Sequence, residues 1–276
     1  MKHTMKIRTL TFISSAIIAF GMLNIHTANA NNFEKGWSAY QSGDFQAALQ
    51  EWLPLANAGD ARAQFNLGVM YDDGRGITQD VSKAILYWKS SAARGFAPAQ
   101  HNLASNYISG ATLPIDYKQA AVWFQKAANQ HLPQSQYTLG KMYLAGLGVN
   151  IDEQEGFFWI MKAASAGFAP AAYNIGKMYR DGIGTNINLP HAAKWLRTAS
   201  DKGHARAQRA LGVRYALGQG VVQSDIQALK WVTLAARQGL DDAAQIVNSL
   251  RRRMNISDIE QAEVLVHDWQ ANKQKP

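Results

Sequence analysis

Cysteine is missing from all 276 residues of the chain. Disulfides, thiol nucleophiles and cysteine-bound zinc are therefore excluded, and no cysteine is available to carry a lipid anchor. The folded chain must therefore be held together by packing alone, and a chain of this length is long enough to bury a sizeable core.

Long apolar runs are also scarce, since the only one spans residues 10–23. A cationic start precedes this run, and Ala28, Asn29 and Ala30 follow it at the usual cleavage spacing. Together these features predict a secretory signal peptide over residues 1–30, cut after Ala30. An uncleaved membrane anchor is the alternative, but the run is shorter than the roughly 18 to 20 residues that a spanning helix needs. After cleavage, no stable membrane insertion is expected.

Catalytic and nucleotide-binding signatures are absent as well. The chain has no G-x-S-x-G, H-E-x-x-H or Walker sequence, and its histidines are scattered without metal-ligand spacing. The formal net charge of +8 is mild for a nucleic-acid-binding protein. We therefore predict a protein that is not an enzyme and that has no cofactor, no metal and no nucleic-acid partner.

What the sequence does contain is a 36-residue repeat. A fixed period of this length indicates a tandem array of helix pairs. Its landmarks are Leu67, Leu103, Leu139, Ile175 and Leu211, then Tyr71, Tyr107, Tyr143, Tyr179 and Tyr215, each set at steps of 36. The tryptophans Trp52, Trp88, Trp123, Trp159, Trp195 and Trp231 follow at steps of 36, 35, 36, 36 and 36.

Glycine recurs in the middle of the first helix of most pairs, as at Gly68, Gly140, Gly176 and Gly212. A mid-helix glycine is unfavourable by about 1 kcal/mol relative to alanine, so its recurrence indicates a closely packed neighbouring helix. We expect the bulky partner to be the tryptophan or phenylalanine of the second helix. The landmark tryptophans are accordingly predicted to lie in the core between repeats.

Loops with two glycines and polar residues at fixed spacing mark the helix ends. The G-x-G loops are predicted to form tight reversals, because no strand precedes them and the third glycine of a phosphate-binding loop is missing. The second helices are predicted to start at N-cap residues. These caps are Asp80, Asp116, Asp152, Asn188 and Ser224.

One repeat departs from this pattern. Ala104, Thr112 and His131 stand where other repeats have glycine, and Pro114 enters the loop. Sequence drift is the favoured explanation. The alternative is a local change in superhelix pitch, with a loop that points in a different direction.

The motifs A-x-A-Q-x-x-L-G-x-x-Y, G-x-G-V/I, D-x-x-x-A-x-x-W and A-A-x-x-G resemble the Sel1-like repeat, which belongs to the tetratricopeptide-like solenoids. The resemblance implies an all-α, right-handed α-α solenoid of about six helix pairs with a C-terminal capping helix. Five Sel1-like repeats are expected over residues 59–240. A tetratricopeptide-like capping pair is expected over residues 31–58, and capping helices with a tail over residues 241–276.

Two features of the C-terminal cap follow from the residues. Ser257 and Glu260 have capping-box spacing, which predicts the start of the last helix. The basic residues 251–253 lie near a helix C-terminus, where the dipole favours cations, with contact to an anionic surface as the alternative.

In tetratricopeptide-like arrays the first helices line the concave face, so the resemblance also implies a binding groove. Its aromatic and cationic residues suit an extended acidic peptide or a chain end with its carboxylate. The alternative is that long cations only solvate this surface. The predicted groove-binding residues are Tyr137, Lys141, Tyr173, Asn174, Lys177, Arg180, Arg206 and Arg209.

Bacterial members of this family are often exported and act as adaptors or scaffolds, without a common catalytic centre. The resemblance thus implies a periplasmic scaffold that binds a protein or peptide in its groove. A secreted host-interaction factor and an envelope enzyme that acts on cell-wall material are the alternatives. The disulfides of some members cannot form here, because this chain has no cysteine.

Overall fold

A computed structural model describes residues 27–273, and every regular element in this part is an α-helix. The predicted signal peptide lies outside the described residues, apart from residues 27–30 at the start of the first helix. The helices are α1 (Thr27–Gln41), α2 (Phe45–Asn57), α3 (Ala61–Asp73), α4 (Val81–Ala93), α5 (Ala97–Ser109), α6 (Tyr117–Asn129), α7 (Pro133–Ala145), α8 (Glu153–Ser165), α9 (Ala169–Asp181), α10 (Leu189–Asp201), α11 (Ala205–Leu217), α12 (Asp225–Ala236), α13 (Asp241–Arg253) and α14 (Ile256–Lys273).

These helices form two compact units that divide between Ala99 and Gln100. In the first unit α1 packs on α2 and α3 on α4, and in the second unit α7–α8, α9–α10 and α11–α12 form the same kind of pair. Within the first unit α2 also packs on α3, and within the second unit α6 packs on α7, α8 on α9, α10 on α11 and α12 on α13, so that successive pairs form an array in each unit. The predicted all-α solenoid of helix pairs is confirmed. None of the helices in residues 27–273 is long and apolar enough to cross a membrane.

The predicted helix ends are confirmed at the second helices. Asp80, Asp116, Asp152, Asn188 and Ser224 each accept a hydrogen bond from the backbone N–H three residues later, at 2.9 to 3.2 Å. This contact satisfies one of the N–H groups that a helix start leaves without an intrahelical partner.

The predicted start of the last helix is wrong by two residues. Asn255, not Ser257, accepts the capping hydrogen bond, from the N–H of Asp258 at 2.8 Å. The basic end of α13 is held by ion pairs, since Arg251 pairs with Glu263 and Arg253 lies 2.5 Å from Asp225.

The mid-helix glycines do lie against the second helices, but the predicted partner is only partly right. A Cβ added to Gly68 would lie 2.4 Å from Nε1 of Trp88, as expected. In the second unit the close neighbours of the glycines are aliphatic, and each follows the landmark tryptophan by one residue. The pairs are Gly140 with Ile160, Gly176 with Leu196, and Gly212 with Val232.

The irregular step of 35 explains this difference. Counting 36 residues from Trp88 reaches Phe124, and further steps reach Ile160, Leu196 and Val232. The later tryptophans therefore stand one residue before the glycine-facing position, about 100° around the helix. Trp159 and Trp231 are still buried there, whereas Trp123 and Trp195 are only partly buried and pack against the edge of the core, so the prediction of a core position is only partly right for these two.

The second glycine of each loop has a structural reason. A Cβ on Gly148, Gly184 or Gly220 would lie 2.0 to 2.1 Å from the carbonyl oxygen of the residue that opens the second helix of the preceding repeat. These glycines also have positive φ angles, between 64° and 76°. Any side chain at these positions would collide with backbone atoms. This collision explains the second glycine without a phosphate-binding role for the loop.

His101 occupies the junction between α5 and α7. Its Nδ1 lies 2.8 Å from Oγ of Ser135, and its ring meets the ring of Phe124 edge-on at 5.3 Å. Burial lowers the pKa of His101 to about 4. The folded chain therefore resists protonation of this imidazole.

We predict that Trp159→Ala lowers the free energy of unfolding by about 3–5 kcal/mol, because its side chain is buried. Trp195→Ala is the matched control, and it should cost less because that side chain is only partly buried. Urea unfolding followed by circular dichroism measures both. Equal losses would contradict the different placement of the two rings.

We also predict that the protein loses stability as the pH falls from 6.5 towards 4. The unfolded chain takes up a proton at His101 near its ordinary pKa of about 6.5, whereas the folded chain takes it up only near the lowered value. The free energy of unfolding falls by up to about 3 kcal/mol at the acid end of this pH range. Phe65 stands at the equivalent position of the first unit, so His101→Phe should flatten this dependence in urea midpoints measured across the range. An unchanged slope would contradict the assignment.

Candidate protein-binding face

The predicted groove residues of the second unit lie on its first helices, and we call this surface the first-helix face. Positions 137, 173 and 209 recur at steps of 36, and they place Tyr137, Tyr173 and Arg209 on α7, α9 and α11. Contacts between successive first helices involve all three residues. The face is therefore a row of equivalent positions, one per repeat.

Tyr137 and Asn174 bind one another across α7 and α9. The Tyr137 hydroxyl accepts a hydrogen bond of 2.6 Å from Nδ2 of Asn174, which also donates to the carbonyl oxygen of Pro170 at 3.2 Å. Burial raises the pKa of Tyr137, and the hydrogen bond from Asn174 acts in the opposite direction. The amide nitrogen of Asn174, one of the predicted groove-binding residues, is thus engaged within the protein.

Aromatic contacts connect the same positions to the starts of the following first helices. The ring of Tyr137 meets Phe168 edge-on at 5.4 Å, and Tyr173 stacks on His204 at 4.9 Å. His204 also caps α11 by accepting from the N–H of Ala207 at 3.2 Å. Phe168 and His204 were not among the predicted residues, although their spacing of 36 gave a signal for them.

Two of the predicted cations are neutralised by carboxylates. Arg180 forms a two-point contact with Asp181, with distances of 2.5 and 2.6 Å. Arg209 lies 2.8 Å from Asp242 on α13. These arginines contribute less net positive charge to the face than the sequence predicts.

The other three predicted cations are not paired with a carboxylate. Within residues 27–273, Lys141, Lys177 and Arg206 form no ion pair. Lys141 and Arg206 are exposed, and Lys177 is half-buried. The Nζ atoms of Lys141 and Lys177 lie 5.6 and 5.9 Å from the ring centres of Tyr137 and Tyr173, within range of a weak cation–π attraction.

Arg214 is a further cation on α11 that was not among the predicted groove-binding residues. It stands where three other repeats have Met70, Met142 and Met178, all buried, so comparison at the 36-residue step could have found it. Burial lowers the pKa of Arg214, and the nearby Arg180 acts in the same direction. Arg214 and Lys177 both help to keep the pKa of Asp181 low, after its hydrogen bond with Arg180.

This arrangement is suited to recognition. Two tyrosine rings, each with a lysine nearby, and cations without ion-pair partners can hold an extended chain that carries carboxylates. No group of three histidine or acidic side chains in the described part of the chain could hold a metal ion. The fold and this face define a helical-repeat interaction protein.

Comparison with known proteins names the family. The Sel1 repeat model matches residues 61–96, 97–132, 133–168, 169–204 and 205–240. These matches cover more than half of the chain, which therefore belongs to the Sel1 repeat family. Proteins of this family are generally interaction scaffolds rather than enzymes, and they bind proteins.

Solved structures show the same architecture. A Sel1 repeat protein from Oxalobacter formigenes is 30% identical, with a TM-score of 0.73 over 86% of this chain and 99% of that one. A protective antigen of uropathogenic Escherichia coli strains, which displays an SLR fold, is 26% identical, with a TM-score of 0.79 over 90% of this chain and 56% of the other.

DAP3-binding cell death enhancer 1 of Rattus norvegicus is 35% identical over 65 residues, which are 24% of this chain and 13% of that protein.

We predict that Tyr137→Phe lowers the free energy of unfolding by about 0.5–1.5 kcal/mol, because Asn174 loses its acceptor on α7. Tyr173→Phe is the matched control, since its hydroxyl makes no hydrogen bond to any residue within 27–273. Urea unfolding of both variants measures the difference. Equal stabilities would show that the Tyr137–Asn174 bond adds nothing to the α7–α9 contact.

Proposed function

We propose that the protein is an exported, non-enzymatic scaffold of the bacterial envelope that binds an acidic segment of a partner protein on its first-helix face. The observation that carries the proposal is the set of three cations without ion-pair partners, Lys141, Lys177 and Arg206, beside the row of tyrosines. The family's general role in binding proteins supports it.

The proposed organisation has four parts. A signal peptide spans residues 1–30, and a capping pair spans residues 31–58. Five repeats over residues 59–240 present the face, and residues 241–276 close the array. The proposed location is the periplasm.

A secreted host-interaction factor is the second candidate. One specific observation favours it, namely the similarity in fold to a protective antigen of uropathogenic Escherichia coli. This chain covers only 56% of that antigen, so the antigen's role is carried over here as a proposal. Fractionation separates the candidates, because a periplasmic scaffold remains in the osmotic-shock extract whereas a secreted factor accumulates in the medium. In either location, mass spectrometry should find Asn31 as the first residue.

We predict that Lys177→Glu with Arg206→Glu abolishes partner capture from envelope extract. Neither residue forms an ion pair in the described structure, although Lys177 also acts on Asp181 at longer range, so circular dichroism should confirm that the variant is folded. Capture by the wild-type protein should also weaken as salt rises, because exposed charges are screened. Affinity purification with quantitative mass spectrometry measures both effects.

The control is Lys118→Glu with Lys194→Glu, which makes the same change in net charge on exposed residues of the second helices α6 and α10. This variant should retain the partner. If both double variants lose it, net charge rather than the face governs binding. If both keep it, the binding site lies elsewhere.

A further inference from the structure

The position before the junction glycine carries a long side chain in all repeats except one. These long residues are Arg94, Gln130, Lys202 and Gln238, at intervals of 36 or its multiples. The exception is Ala166. A small residue at only one of five equivalent positions leaves space that the other repeats fill.

Two of these long side chains, Arg94 and Lys202, lie over the junction residue of the preceding repeat. In the first unit a Cβ on Gly59 would lie 2.8 Å from Nη2 of Arg94, and in the second unit a Cβ on Gly167 would lie 3.1 Å from Nζ of Lys202. At these two junctions a side chain larger than glycine would meet the long residue, whereas Gln130 and Gln238 do not lie over Gly95 and Gly203. The residue in the corresponding place for Ala166 is His131, so the sizes of the two positions are exchanged at this junction.

His131 is held in a backbone conformation that favours glycine. Its φ angle is 63°, and it is the only non-glycine residue within 27–273 with a positive value. Backbone strain of this kind is found preferentially at functional sites. Drift alone does not account for a strained residue that is matched by a small one across the junction.

A cavity of about 400 Å³ lies at this junction, and we call it the Ala166 pocket. Its apolar wall comes from α8, with Phe157, Phe158 and Met161. Its polar groups come from His131, Gln136, Lys162 and Ser165. The volume is within the usual range for a binding site that is mainly apolar with a few polar groups.

One buried acceptor that lines the pocket has no donor. At the equivalent junctions, Gln130 donates to Oε1 of Gln100 at 2.9 Å, and Gln238 donates to Oε1 of Gln208 at 2.7 Å. The buried Oε1 of Gln136 has no such partner among the described residues. Ala166 cannot supply the donor, although a long residue does not always supply one, since the buried Oε1 of Gln64 also has no partner at the junction of Arg94.

The charge at the pocket indicates what it takes. Lys162 is exposed, its Nζ lies 4.4 Å from the ring centre of Phe158, and none of the lining residues is acidic. An apolar group bearing a carboxylate matches both the wall and the cation. We propose that the Ala166 pocket binds the C-terminal residue of a partner polypeptide, with an aromatic or large aliphatic side chain against α8 and its α-carboxylate at Lys162. This site is separate from the first-helix face and does not depend on it.

The probe for the test is N-acetyl-phenylalanine, which mimics an apolar chain end. Amide chemical shifts of the ¹⁵N-labelled protein are followed during titration, and the expected changes are centred on residues 131 and 157–166. N-acetyl-phenylalaninamide keeps the ring but lacks the carboxylate, and it should bind more weakly.

Three variants test the geometry. His131→Gly with Ala166→Gln rebuilds the junction that Gly203 and Gln238 provide in another repeat, so it should fold with an equal or higher Tm and lose the shifts. Lys162→Gln should weaken binding by roughly two- to fivefold, as expected for one exposed ion pair. Lys126→Gln is the matched control, because Lys126 lies 4.1 Å over Trp123 one repeat earlier and does not line the pocket.

Shifts lost in the double variant and retained in Lys126→Gln would support the proposal. It is overturned if N-acetyl-phenylalanine causes no shifts at these residues, or if the shifts persist in the folded double variant. Equal binding of the amide would refute the carboxylate contact at Lys162. Tighter binding of decanoate than of N-acetyl-phenylalanine at the same residues would make the ligand a free fatty acid and would overturn the assignment to a chain end.

Discussion

The close approach of two helices within each pair is the contact on which the rest of this structure depends. It is made where the middle of a first helix has no side chain, so that Ile160 reaches Gly140 and Leu196 reaches Gly176. Without a Cβ, the side chain of the second helix reaches the backbone of the first, where any larger residue would collide with it. The conformational cost of glycine in a helix is offset by the contact that it permits.

This contact also determines which residues lie at the junctions between repeats. Because the glycine side of each first helix is turned towards its partner, the residues three positions earlier lie at the junction with the next repeat. Tyr137 and Tyr173 stand there, and they contact Asn174 and His204. The first-helix face is consequently part of the packing between repeats as well as a surface. Its tyrosines are held in place before any partner arrives, which reduces the entropy lost on binding.

The two proposed sites differ in how they arise. The first-helix face comes from regular repetition, since equivalent positions on α7, α9 and α11 line up. The Ala166 pocket comes from an interruption of the repeat, where Ala166 and His131 replace a long residue and a glycine. Regular positions suit an extended ligand that spans several repeats, whereas a single irregular junction suits one side chain. A scaffold with both surfaces could hold a partner along a segment and at its end.

Local contacts and period were determined by the sequence itself. The N-caps at Asp80 and Asp152 and the positions of the helix pairs depend on residues a few places apart, so spacing was sufficient to predict them. Placement across helices was decided only by the tertiary structure. The 35-residue step turned Trp195 partly outward and gave its expected place to Leu196, and Arg209 found Asp242 on the next first helix. Burial and ion pairing depend on what the neighbouring repeat presents, and a pattern read along one helix does not contain that partner.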